Sequence, residues 1–181
     1  MKLLFISDIH GDLTCANAAI DVYEKEKCDK IIILGDVLYH GPRNDLPDGY
    51  NPKGVINLLN EYKNKILAVR GNCDTEVDQM VLEFPILSDY ALLYLDGITV
   101  YATHGHKYNT SVTPPLMSND ILIHGHTHVL KCESFGNDNF YINPGSISLP
   151  KENNPKTYMI YENRIFTIKD FDGNIVLSKE F

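Results

Sequence analysis

KLLFISDIHGD, residues 2–12, decides the reading of this chain. Its apolar half, Lys2 to Ser7, has no polar alternation, as expected of a strand buried on both faces. The run stops after five residues, Lys2 to Ile6, at Ser7-Asp8, too short for a secretory signal segment. Asp12 can then cap a helix in which Ala16, Ala19, Ile20 and Tyr23 recur at helical spacing. The same unit repeats. Lys30–Leu34 forms a second apolar run ending in Gly35-Asp36, and a Gly/Pro-rich loop runs from His40 to Pro52. A helix with Val55, Leu58, Leu59 and Tyr62 on one face follows, and Ile66–Val69 delivers Gly71-Asn72. Strand, helix, strand, helix, strand predicts a parallel sheet with right-handed crossovers.

The second half changes character. Tyr90–Leu95 and Ile98–Thr103 flank Asp96-Gly97 as a hairpin. Further strands are expected at 120–123, 129–134, 140–142, 157–161, 164–169 and 175–178. Helix is expected only at Glu76–Leu82, with one possible turn at Pro115–Met117. The fold class is therefore mixed α/β, with two packed sheets flanked by helices as the economical architecture. With 181 residues and no repeat or linker, one domain over 1–181 is expected.

The expected strand ends carry chemistry. They read Asp8-x-His10, Gly35-Asp36, Gly71-Asn72, His104 and Gly125-His126-Thr127-His128. Asp, His and Asn without cysteine suit manganese, iron, zinc or nickel, not a structural zinc or iron–sulfur site. Five of the seven histidines lie in or beside these segments, leaving His40 and His106 in loops. If the last segment is extended, His126 and His128 face one side together, as do Asp8 and His10.

DxH…GD…GN…H…GHTH resembles the signature of the calcineurin-like metallophosphoesterases. ILGDVLYHGPRN, AVRGNCDTEVDQM, THGHKYN and NPGSISLPK resemble their small bacterial phosphodiesterases of the YfcE type. The likeness implies an αββα sandwich and two divalent cations, most simply Mn2+, bridged by Asp36. It gives Asp8, His10 and His128 to the first cation, and Asn72, His104 and His126 to the second. It also implies attack of hydroxide on phosphorus in line with the departing alkoxide. The catalytic candidates are thus Asp36, Asn72, Cys73 and His104. Many members carry a histidine after the GN pair, where this chain has Cys73, a weaker proton donor. That departure, with the resemblance, favours phosphodiesters over monoesters. Candidate substrate contacts are His40, Arg43, Asn44, Asp74 and His106, and Arg70 and Lys107 also lie close in sequence to the motifs.

A net charge of −8 argues against a nucleic-acid polymer as partner, while bound cations would still accept a small anion. No apolar run is long enough to cross a bilayer. Cys15, Cys28, Cys73 and Cys132 show no paired spacing, so reduced thiols in the cytoplasm are expected. His124 reads as a packing or supporting residue, and Asn143-Pro144-Gly145-Ser146 as a structural turn. The resemblance further implies a homo-oligomer, dimer or tetramer. Rival functions are a phosphomonoesterase or dinucleoside polyphosphate hydrolase of the same superfamily, and a protein-binding scaffold like the retromer subunit of this fold.

Overall fold

A computed structural model describes residues 1–181. The first strand, β1 (Lys2–Ile6), leads into helix α1 (Leu13–Lys25). The N-cap Asp12 accepts the Cys15 N–H and satisfies one of the orphan amides of the first turn. Then come β2 (Lys30–Ile33), α2 (Pro52–Glu61) with Pro52 at its first turn, and β3 (Ile66–Ala68). These three strands pair in parallel, β1 with β2 and β2 with β3.

Beyond β3 the regular elements are all strands apart from the one-turn helix α3 (Glu76–Gln79). That helix is shorter than its sequence pattern suggests. The Gln79 amide turns back to bond Leu82, Phe84 and Ile86, and Leu82, Phe84 and Ile86 enter the core. The strands are β4 (Tyr90–Leu95), β5 (Ile98–Thr103), β6 (Ile121–Ile123), β7 (Lys131–Phe135) and β8 (Asn139–Asn143). They are followed by β9 (Thr157–Glu162), β10 (Ile165–Asp170) and β11 (Ile175–Glu180). One sheet has the order β11-β10-β9-β1-β2-β3, the other β4-β5-β6-β8-β7, with β5, β6 and β8 parallel.

Alternation along β1 assigns its faces. Leu4 and Ile6 pack with Ala16, Ala19 and Ile20 of α1, whereas Leu3 and Phe5 meet Val100, Ile121 and Ile142 between the sheets. Both faces are buried, so the run reads as continuously apolar.

The sandwich of two mixed sheets is the architecture read from sequence, and helices α1 and α2 cover the first sheet. The outer side of the second sheet differs, because no helix follows α3. The segment 104–120 lies there instead, tied by Tyr101 Oη to the Pro115 carbonyl and by Thr103 Oγ1 to the Tyr108 carbonyl. Pro115–Met117 forms no helical turn; Asp120 caps the Met117 N–H.

Candidate metal centre

Every motif residue lies just past the carboxyl end of a parallel strand: Asp8 and His10 after β1, Asp36 after β2, Asn72 after β3, His104 after β5, His126 and His128 after β6. Both sheets present these ends at one rim, the usual place for ligands in open α/β sheets.

The backbone there is not extended. Asp8, His10, Asp36, His126 and His128 all have φ between 50° and 66°. Such left-handed conformations are costly for residues with a Cβ. They correct the expectation that His126 and His128 share one side of a strand. His126 turns toward His104, with its Nδ1 3.1 Å from His104 Nε2, while His128 turns toward His10, Nε2 to Nε2 at 3.3 Å.

Three overlapping donor groups result. Asp8, His10 and His128 form one, and Asp36, His104 and His126 another, with Asn72 Oδ1 3.1 Å from His104 Nε2; His10, Asp36 and Cys73 form a third between them. Asp36 Oδ2 lies between the first two, 3.7 Å from His10 Nε2 and 3.4 Å from His104 Nε2. His10, His104 and His128 each donate Nδ1–H to a main-chain carbonyl, of Tyr39, Leu34 and Leu149, at 2.7, 2.6 and 2.6 Å. With Nδ1 so engaged, each ring aims Nε2 into the centre, as metal-bound imidazoles do.

Asp8 Oδ1 is buried without a hydrogen-bond partner, 3.2 Å from His128 Nε2. An orphaned carboxylate oxygen among inward-facing imidazole nitrogens fits a divalent cation. Burial pushes the Asp8 carboxyl up, but His128, His104 and His10 outweigh it and hold it below its usual range. Burial alone would lower His104, yet Asp36 and Asp8 raise it to about 9, while burial and His104 push His126 down to about 4. Metal binding here therefore competes with a proton on His104.

The glycines of the motifs leave room for carboxylates. A Cβ on Gly71 would sit 2.1 Å from Asp36 Oδ1, and one on Gly125 would sit 1.8 Å from Ser7 Oγ and 2.6 Å from Asp8 Oδ2.

The remaining candidates separate. Arg43, Asn44 and Cys73 line a cavity of about 380 Å3 above Asp36, Asn72 and His126. Asn44 also bonds the His40 carbonyl. Cys73 is kept a thiol, pushed up to about 12 by burial and by Asp36. His106 is exposed, its ring 5.4 Å from that of His104, and lines a neighbouring cavity. His40 stays out of the first cavity, its ring packed edge-on between Tyr39 and Tyr50. Asp74 is buried and lines neither cavity. Its carboxylate accepts the N–H groups of Asp36, Val37 and Gly71 at 2.9, 2.9 and 2.7 Å, clamping two ligand loops together. Burial raises it to about 6 despite those bonds. Arg70 and Lys107 are paired with Glu76 and Asp89.

Some supports had no motif to announce them. Ser146 and Ser148 donate to the Asp8 carbonyl, Ser7 to its Oδ2, and Asn143 to the Gly125 carbonyl. Lys151 reaches the first cavity from a segment whose backbone bonds His128. The NPGS turn was the available signal for Asn143 and Ser146. His124 stacks on Tyr141 at 4.3 Å.

The calcineurin-like phosphoesterase superfamily domain matches residues 1–164. The chain belongs to that superfamily. This phosphoesterase is 45% identical to phosphodiesterase YfcE of Escherichia coli K12 over 179 residues, 99% of this chain and 97% of that protein. A solved structure of the E. coli phosphoesterase superposes with a TM-score of 0.95 at 43% identity, covering 99% and 98% of the two chains. Phosphodiesterase MJ0936 of Methanocaldococcus jannaschii is 26% identical over 80% of this phosphoesterase and 83% of that protein. Vacuolar protein sorting 29 of Cryptosporidium parvum has a TM-score of 0.64 at 16% identity over 99% and 97%, a likeness of fold alone.

Proposed function

We propose that this phosphoesterase hydrolyses small phosphodiesters at two divalent cations, manganese by preference, with iron, nickel and zinc as competitors. Asp8, His10 and His128 would hold one cation, and Asn72, His104 and His126 the other, with Asp36 placed to serve both. The observation that carries this reading is Asp36 Oδ2 lying between His10 and His104, in a chain 45% identical along its length to a protein named a phosphodiesterase.

Divalent cations in such a site supply Lewis acidity toward phosphate oxygens and make water acidic enough to ionise near neutral pH. The protein's own share is positional. Asn72 offers a neutral oxygen, adding no charge that would repel a phosphate. Asp74 and the Ser146–Ser148 segment fix the loops on which Asp36 and Asp8 ride. The Cys73 thiol lies in the cavity and is a poor acid, so it gives a departing alkoxide little help. Esters whose leaving groups need little protonation are favoured.

The same reading places the enzyme in the cytoplasm as a homo-oligomer, without a nucleic-acid polymer or a membrane as partner. The net charge of −8 supports the first exclusion, and no helix is long and apolar enough to cross a membrane.

The test is hydrolysis of bis-p-nitrophenyl phosphate against p-nitrophenyl phosphate, with metal-stripped protein and a manganese titration. Diester turnover restored by metal, with little monoester turnover, is the expected result. Dominant monoesterase activity would overturn the substrate class, and no activity on either at saturating metal would overturn the reading.

A further inference from the structure

Two cavities of different character meet at the metal centre. His126 and Thr127 line both and form the ridge between them. The first, about 380 Å3, has Asp36, Asn72 and His128 at its floor and Arg43 and Lys151 on its walls. Neither Arg43 nor Lys151 takes part in any of the chain's ion pairs. The second cavity, about 560 Å3, offers the hydroxyls of Thr110 and Ser111. Its one lysine, Lys131, is balanced by Glu133 at 3.8 Å, and Glu152 adds a carboxylate.

A phosphodiester bound at the floor must send its two substituents in different directions. In a chain of net charge −8, an anionic substituent is repelled everywhere except where local cations are left unpaired. Such cations wall one cavity only. The scissile phosphate has no need of them, since the donor groups beneath it would hold cations of their own.

We infer that the substrate is an unsymmetrical phosphodiester. One substituent carries a carboxylate or phosphate and is held by Arg43 and Lys151. The other is uncharged and hydroxyl-bearing, and lies along Thr110 and Ser111. This inference rests on the phosphodiesterase reading above. Arg43 and Lys151 are exposed, so their discrimination is modest and sensitive to salt.

The experiment uses the manganese-loaded full-length protein and three p-nitrophenyl phosphodiesters. Their second alcohols are 3-hydroxypropionate, 3-hydroxypropionamide and choline, which differ chiefly in charge. The wild type should favour the carboxylate over its amide by roughly fivefold in kcat/KM, mainly through KM, at low ionic strength. The preference should shrink at 0.15 M salt, where the Debye length is about 8 Å. Arg43→Gln with Lys151→Gln should bring the carboxylate-to-amide ratio close to one, and Lys151→Glu should move the preference toward the choline ester. Equal rates on carboxylate and amide in the wild type would overturn the inference. So would a double variant that loses all three substrates in the same proportion, because the two cations would then serve the scissile phosphate. Failure of every probe, bis-p-nitrophenyl phosphate included, would instead remove the phosphodiesterase reading, and this inference with it.

Discussion

His10 and His128 point their Nε2 atoms at each other across 3.3 Å, while the Nδ1 of each is bonded to a main-chain carbonyl. A carbonyl can only accept, so both Nδ1 atoms carry the proton. With both Nδ1 atoms so engaged, the two Nε2 atoms are left facing each other beside the unpartnered Asp8 Oδ1. A cation relieves all three atoms at once. Saturating manganese should therefore raise the melting temperature of chelator-treated protein by roughly 5–10 °C, from ligand linkage and the chain's size. Scanning calorimetry with and without metal reads this, and an unchanged transition would refute it.

Cys73 faces the cavity as a thiol with little acidity. Cys73→Ser should keep more than a tenth of wild-type turnover on bis-p-nitrophenyl phosphate. A hundredfold loss at unaltered metal content would make the thiol a participant.

Asp74 accepts three main-chain N–H groups from two loops. An asparagine there puts an NH2 group against at least one of those donors. Asp74→Asn should cost about 2–4 kcal/mol by urea unfolding and weaken metal retention. A change under about 0.5 kcal/mol, within the range of ordinary surface substitutions, would mean the carboxylate is no clamp.

His126 is half-buried with φ at 66°. Glycine adopts that conformation freely and alanine does not. In metal-free protein, His126→Gly should be more stable than His126→Ala by about 1 kcal/mol, reversing the usual penalty for glycine. Denaturant midpoints of the two variants decide it, and the opposite order would show that the loop relaxes.

Glu26 at the end of α1 meets Lys169 of β10 and Lys2 of β1 at 2.7 and 2.6 Å. Lys169, then Lys2, lower its carboxyl from the usual 4.5 to about 2. A carboxylate depressed on folding adds stability that is fully present above the unfolded value and is lost as pH falls toward the folded one. Glu26→Gln should thus cost about 1 kcal/mol at pH 7, the partners being only partly buried. The gap from wild type should close between about pH 4.5 and pH 2. A gap that persists at pH 2 would point to packing.

The parallel strands and the donor set were legible because apolar runs end abruptly in Asp, Asn or His, and a chain leaving a strand must emerge at its carboxyl end. Side-chain direction was not legible. Spacing of two residues predicted that His126 and His128 lie together, but left-handed backbone sends them to different donor groups. Asp74 follows the GN motif closely enough to suggest substrate contact, yet three unpaired amides draw it inward. The loop position of His40 points to the pocket, but its ring packs on Tyr39 and Tyr50 instead. The outer side of the second sheet shows the same limit: its exposed strand positions call for cover without specifying whether a helix or the 104–120 segment supplies it.

Two of the donor groups draw on both sheets, Asp8 and His10 with His128, and Asp36 and Asn72 with His104 and His126. At the opposite end of the sandwich, Tyr161 of β9 bonds Asp96 in the β4–β5 turn. The chain itself thus fastens the two layers at one end, and a cation held at the rim would fasten them at the other. Such an ion would act mechanically as a removable cross-link, with the stiffness of the sandwich a gauge of whether it is loaded.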